Sequence, residues 1–212
     1  MPKSIPDIIY LKTKNNVFVD SPVSTYRIPF FKDAEYFSNW ESYTQFVKEV
    51  EKVVRHNDRY NKYIYYLKNE VKLNHCQVLS RLDDEDCTIE MHHGPIFNLY
   101  DYCEIMLEYY LLRGWNITTF KVADSILREH EKNHIQVVML STTVHQEVHA
   151  RDIFINYRHA YGDLNAFIKK YGIALTDDHK EKLNRYIDKS IMIDSNDYGL
   201  LTLNRYLYVK NN

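Results

Sequence analysis

Glycine and proline are scarce in this chain of 212 residues, five of each, which argues against long loops. Cysteine is scarcer. Cys76, Cys87 and Cys103 are odd in number and none stands in a Cys-x-x-Cys spacing, which argues against a disulfide framework and against a zinc ribbon. A surplus of positive charge is also missing: 27 Lys and Arg face 29 Asp and Glu, for a net charge of −2 and a pI of about 6.5. Dedicated nucleic-acid binders are usually strongly basic, so contact with nucleic acid would need a local basic groove or a metal ion. No stretch approaches the ~18 apolar residues of a membrane span, and the opening MPKSIPDIIYLK lacks the apolar centre of a signal peptide. The expectation is therefore no membrane partner and a cytoplasmic location. No internal repeat and no low-complexity linker is present.

What the chain does have is the balance of a globular protein, 45% hydrophobic and 26% charged, with 19 tyrosines. Tyrosine combines apolar area with a polar tip and suits contact surfaces as well as cores. Its length fits one substantial domain or two small ones. Ile8–Leu11 and Val17–Val19 read as a hairpin. From Asn39, apolar residues recur at three- and four-residue steps through Trp40, Tyr43, Phe46, Val47, Val50 and Val54, the period of an amphipathic helix. Asn57-Asp58 breaks it, and Tyr60, Tyr63, Ile64 and Leu67 predict a second helix to about Leu73. Cys76–Leu82 and Cys87–His93, flanking the acidic turn Asp83–Asp86, predict a second hairpin. A helix follows from Asn98 to Gly114, and Thr118 or Thr119 caps another reaching about Lys132. Ile135–Leu140 is a short apolar run, after which Ser141, Thr142 or Thr143 caps a helix carrying His145 and His149. Further helices are predicted from Asp163 to Tyr171 and after Thr176, with a strand or docking tail over Tyr198–Val209.

Six of the ten histidines fall in three close pairs: His92-His93, His130 with His134, and His145 with His149. Histidine is the commonest metal ligand and the side chain suited to proton transfer near neutral pH. Neighbours on a strand point to opposite faces, so His92 and His93 divide their roles. His145 and His149, one helical turn apart, can reach a single ion. Three neutral imidazoles leave open positions on a divalent cation.

Thr88-Ile-Glu-Met-His-His-Gly-Pro95 and Leu140-Ser-Thr-Thr-Val-His-Gln-Glu-Val-His149 together resemble the strand and helix of the HNH, or ββα-metal, endonucleases. The resemblance covers residues 76–150, about a third of the chain. It implies that His93 is the general base that activates water and that His92, His145 and His149 bind the metal. Gln136 stands where the family carries a catalytic asparagine, and Ser141 and Val144 stand where many members carry zinc-ribbon cysteines. The segment between the two histidine pairs is longer than in the family. From Tyr161 onward the chain also looks similar to the tails of bacteriophage proteins, which would place it in a host cytoplasm.

The expected fold is thus α+β, mostly helical, with an HNH-like ββα core at 76–150 that contains a helical insertion. An N-terminal extension of short strands and helices occupies 1–75, and a helical region 151–212. The implied activity is metal-dependent hydrolysis of DNA phosphodiester bonds with one divalent ion (Mg²⁺, Mn²⁺, Ni²⁺ or Zn²⁺) and nucleic acid, expected to be DNA, as partner. Two alternatives stand beside it. In one, the core is degenerate and the protein is a non-catalytic nucleic-acid-binding or structural protein. In the other, His130-Glu131-Lys132-Asn133-His134 matches the His-Glu-x-x-His of zinc peptidases.

Overall fold

Helix capping and strand pairing organise the chain in a computed structural model that describes residues 8–12, 18–22, 31–79, 81–196 and 207–209. Strands β1 (Ile8–Lys12) and β2 (Phe18–Pro22) form the antiparallel N-terminal hairpin that the sequence predicts. A short helix α1 (Ala34–Ser38) leads into α2 (Trp40–Arg55) and α3 (Asp58–Asn69). The side chain of Asn39 accepts from the Ser42 N–H and that of Asn57 from the Arg59 N–H, so each asparagine satisfies a backbone donor at the helix start it precedes. Helix α3 ends at Asn69 rather than at Leu73, and Lys72 follows with a positive φ of 66°.

The second predicted hairpin does not form. Strand β3 (Ile89–His93) pairs antiparallel with β4 (Val137–Ser141), Met91 opposite Met139 and His92 opposite Val138. The segment from Cys76 to Leu82 instead closes on itself through the Cys76 N–H to Leu82 carbonyl bond of 2.8 Å. It plugs the far edge of β4 with Gln77. The Gln77 N–H donates to the Met139 carbonyl at 2.8 Å, and its side-chain oxygen accepts from the Met139 N–H at 2.7 Å. One glutamine thereby occupies both polar groups of an edge residue, and Tyr161 does the same for Val137 with two backbone bonds of 2.9 Å.

Between β3 and β4 run α4 (Leu99–Leu112) and α5 (Thr119–Glu131). Asn98 and Asp101 form a reciprocal capping box at the start of α4, and the Thr118 hydroxyl accepts from Lys121 at the start of α5. Helix α6 (Thr142–Ala150) leaves β4 with no intervening loop and ends at Arg151, whose φ is 68°. A short strand β5 (Ile153–Ile155) pairs with β6 (Leu207–Val209), the described part of the predicted C-terminal tail. The helices α7 (Leu164–Tyr171), capped by Asp163, and α8 (Asp177–Asn196) complete the described chain. The fold is α+β and mostly helical, as expected.

Its core is one cluster of buried side chains from Phe37 to Leu175. Helix α2 packs on α4 and α5 through Phe46, Val47, Val50 and Val54, each at most 1% exposed. Arg59 fastens α3 to the outside of α5 by ion pairs to Asp124 and Glu131, both 2.6 Å. No described helix is long and apolar enough to cross a membrane.

Candidate functional site

Strand β3 has two faces. Ile89, Met91 and His93 look toward the helical core, and Glu90 and His92 look toward α6. Because α6 follows β4 directly, its first turns lie against the β3–β4 pair, and Val144 anchors it there at 5% exposure. His145 and His149 share the helix face that meets Glu90 and His92.

The three rings of His92, His145 and His149 form one group. Centroids lie 5.0 Å apart for His92–His145, 5.0 Å for His92–His149 and 4.7 Å for His145–His149. One nitrogen from each ring falls within 4.8 Å of the other two. Glu90 approaches Nδ1 of His145 at 2.6 Å. A carboxylate can only accept, so Nδ1 of His145 carries the proton and its Nε2 presents a lone pair. That lone pair faces Nε2 of His149 at 3.0 Å. Gly94 makes room for the ring of His92, since a Cβ there would lie 2.9 Å from His92 Nε2.

Burial pushes the His92 imidazole down to about 3, and the adjacent His145 and His149 rings add to the effect. Burial, and then His145, also lowers His149. His92 and His149 are therefore favoured as neutral imidazoles, the form that donates a lone pair to a cation.

His93 turns the other way, into the interior. Its Nε2 lies 2.9 Å from Nε2 of His130, and its ring stacks on Tyr60 with centroids 5.8 Å apart. Nδ1 of His130 meets the Ile126 carbonyl at 2.9 Å, so that nitrogen donates. Nε2 of His130 is then the acceptor and His93 Nε2–H the donor. Burial pushes both imidazoles down, His130 to about 4 and His93 well below its ordinary value. Expected as a water-activating base, His93 has its ring proton engaged by a buried neighbour. Gln136 is likewise interior: its N–H donates to the Tyr102 hydroxyl at 3.1 Å and its side-chain amide to the Tyr157 carbonyl at 3.4 Å. It borders a cavity of about 290 Å³ with Ile96, Tyr157 and Asp163, away from the three-histidine group.

The peptidase alternative is also corrected. Helix α5 ends at Glu131, and Asn133 takes a positive φ of 57°, so His134 is not on the helix with His130. Both ring nitrogens of His130 are committed, Glu131 pairs with Arg59, and His134 Nδ1 lies 2.6 Å from buried Glu129.

Glu90 was the residue missed, although two-residue periodicity alone puts it on the His92 face. A second group, Asp101, Glu104 and His179, joins α4 to α8. Its carboxylates are occupied: Lys182 pairs with Asp101, and His179 Nε2 lies 3.3 Å from Glu104.

A mostly helical α+β fold, with a histidine cluster between a strand and a short helix, describes the chain in general terms. Its residues 3–206 match the family described as bacteriophage G278-like virion protein, and the chain belongs to that family. No curated protein and no solved structure gives a significant match. The family overturns the endonuclease expectation, because a virion protein points to a structural role and nothing supports kinship with the HNH enzymes. The phage origin suggested by the C-terminal tract agrees with the family.

Proposed function

We propose that this protein is a non-catalytic structural component of the phage particle, acting through contacts with its neighbours rather than through chemistry. The observation that carries this is the family match, which spans nearly the whole chain and so includes the histidine-bearing core as well as the flanking helices. The surface supports it. Trp40 and Phe120 stand 73% and 75% exposed, and Trp115 and Tyr65 are exposed as well. Rigid aromatic side chains of this kind provide contact area at small entropic cost. The interior supports it too, since the imidazole expected to activate water is tied to His130.

The test is the composition of purified particles. Density-gradient-purified phage encoding this chain should contain it at a fixed copy number per particle, read by quantitative mass spectrometry. Presence in the lysate with absence from the particles would refute the proposal. In a parallel assay the purified chain should leave plasmid DNA intact in Mg²⁺, Mn²⁺, Ni²⁺ or Zn²⁺.

A further inference from the structure

We propose that His92, His145 and His149 hold one divalent transition-metal ion of the zinc class, a clamp between strand β3 and helix α6, with Glu90 as the positioning residue. The site goes beyond the virion assignment, and its failure would leave that assignment standing.

Distance makes the first argument. Tetrahedral coordination at the usual Zn–N length of ~2.0–2.1 Å places ligand nitrogens about 3.3 Å apart. Nε2 of His145 and Nε2 of His149 are already 3.0 Å apart, and all three ligand atoms lie within 4.8 Å of one another. The remaining gap, from 4.8 Å at most to about 3.3 Å, is within the reach of side-chain rotation.

Proton placement makes the second. Glu90 fixes the Nδ1–H of His145, so the His145 lone pair already points inward. An orienting carboxylate behind a histidine ligand is the usual outer partner of metal-bound imidazole. A bound ion would take the place of the hydrogen bond between His145 and His149, the His149 proton moving from Nε2 to Nδ1, so that three ring nitrogens each turn a lone pair to the metal.

Space makes the third. Glycine at position 94 lets the His92 ring keep its place in the group, because a Cβ there would press on Nε2 at 2.9 Å.

The donor set chooses the metal. Three imidazoles and no directly available carboxylate suit Zn²⁺ or Ni²⁺, and not the hard, oxygen-seeking Mg²⁺. His149 is exposed, so the fourth position opens to solvent. The ion's structural effect follows from the chain path: α6 is nine residues long and lacks a side-chain cap at Ser141. A bond from each of two of its residues to strand β3 would fix it in place.

The experiment uses the full chain, stripped with a chelator and titrated by calorimetry with ZnCl₂ and separately with MgCl₂. One zinc per chain is expected, with no magnesium uptake at the same concentrations. At zinc 100-fold above its dissociation constant the melting midpoint should rise by about 5–10 °C. X-ray absorption at the zinc edge should show nitrogen ligands at about 2.0–2.1 Å and no sulfur. His149→Ala is the decisive variant, because His149 is exposed and its loss leaves the core intact. It should retain the parent's circular dichroism and lose stoichiometric zinc binding, as should His92→Ala. His56→Ala, an exposed histidine outside the three-histidine group, should bind as the parent does. No zinc uptake, preference for magnesium, or parental affinity in His149→Ala would each overturn the proposal.

Discussion

Glu90 holds Nδ1 of His145 at 2.6 Å across the gap between β3 and α6, and this one contact decides which nitrogen of the ring faces the other histidines. Glu90→Gln keeps the size of the side chain and an acceptor oxygen but removes the charge. Zinc affinity measured by calorimetry should fall about 10–100-fold, with one site per chain retained. The outer-partner role would be refuted by unchanged affinity. Loss of the site altogether would make Glu90 a ligand rather than a positioning residue.

Tyr102 is fully buried in α4, edge-on to Phe97 and Phe167, and its hydroxyl is the acceptor for the Gln136 N–H. Tyr102→Phe preserves the packing and strands that buried N–H, so unfolding in urea should show a loss of about 1–3 kcal/mol. Should the variant match the parent, Gln136 has found another partner and the bond contributes nothing.

Which parts of this were readable in advance follows from how local the signals are. Asn39, Asn57, Asn98, Thr118 and Asp163 each begin a helix at or beside the predicted residue, because a capping side chain acts on backbone two or three positions away. The partner of β3 was misjudged for the opposite reason. Cys76–Leu82 is the nearer β-compatible run, and only the packing of α4 and α5 brings β4 alongside instead. Gln77 shows why the nearer run lost. Its side chain imitates a strand's backbone at the far edge of β4, a use of an amide that no periodicity reveals. The histidines were legible as spacing: opposite faces for His92 and His93, one face for His145 and His149. That the His93 face is interior depends on Tyr60, Tyr63 and His130, which arrive from α3 and α5. Imidazoles beside one another serve catalysis and scaffolding alike, so the spacing that located the cluster did not determine its use.

Glu129 is a carboxylate at 1% exposure, reached by Lys170 Nζ at 2.7 Å, the Tyr171 hydroxyl at 2.8 Å and His134 Nδ1 at 2.6 Å. Burial alone would raise its pKa; the three donors outweigh burial and hold it below the ordinary range. A carboxyl lowered in the folded state adds stability above about pH 4.5, and that contribution disappears as the pH falls through the lowered value. Glu129→Ala should therefore cost about 2–3 kcal/mol at pH 7, mostly through stranded donors. Below pH 4 the difference from the parent should shrink. An equal difference at both pH values would show that the charge is immaterial.

His130 titrates in a separate, higher window. Burial among Tyr60, Tyr63 and His93 holds its imidazole down at about 4, with the Ile126 carbonyl opposing the shift and Arg55 and Glu131 acting in opposite senses. In the unfolded chain a histidine takes up its proton near pH 6.5. Between those values the unfolded state holds one more proton than the folded state, so stability rises with pH across the window and is complete above it. The slope from this residue is about 1.4 kcal/mol per pH unit. His130→Gln removes the titration and leaves an oxygen to accept from His93. Urea midpoints at pH 5, 6 and 7 should then change with pH less steeply than the parent's, by about one proton. A variant as acid-sensitive as the parent would mean that His130 is charged when buried, contrary to the geometry of its two ring nitrogens.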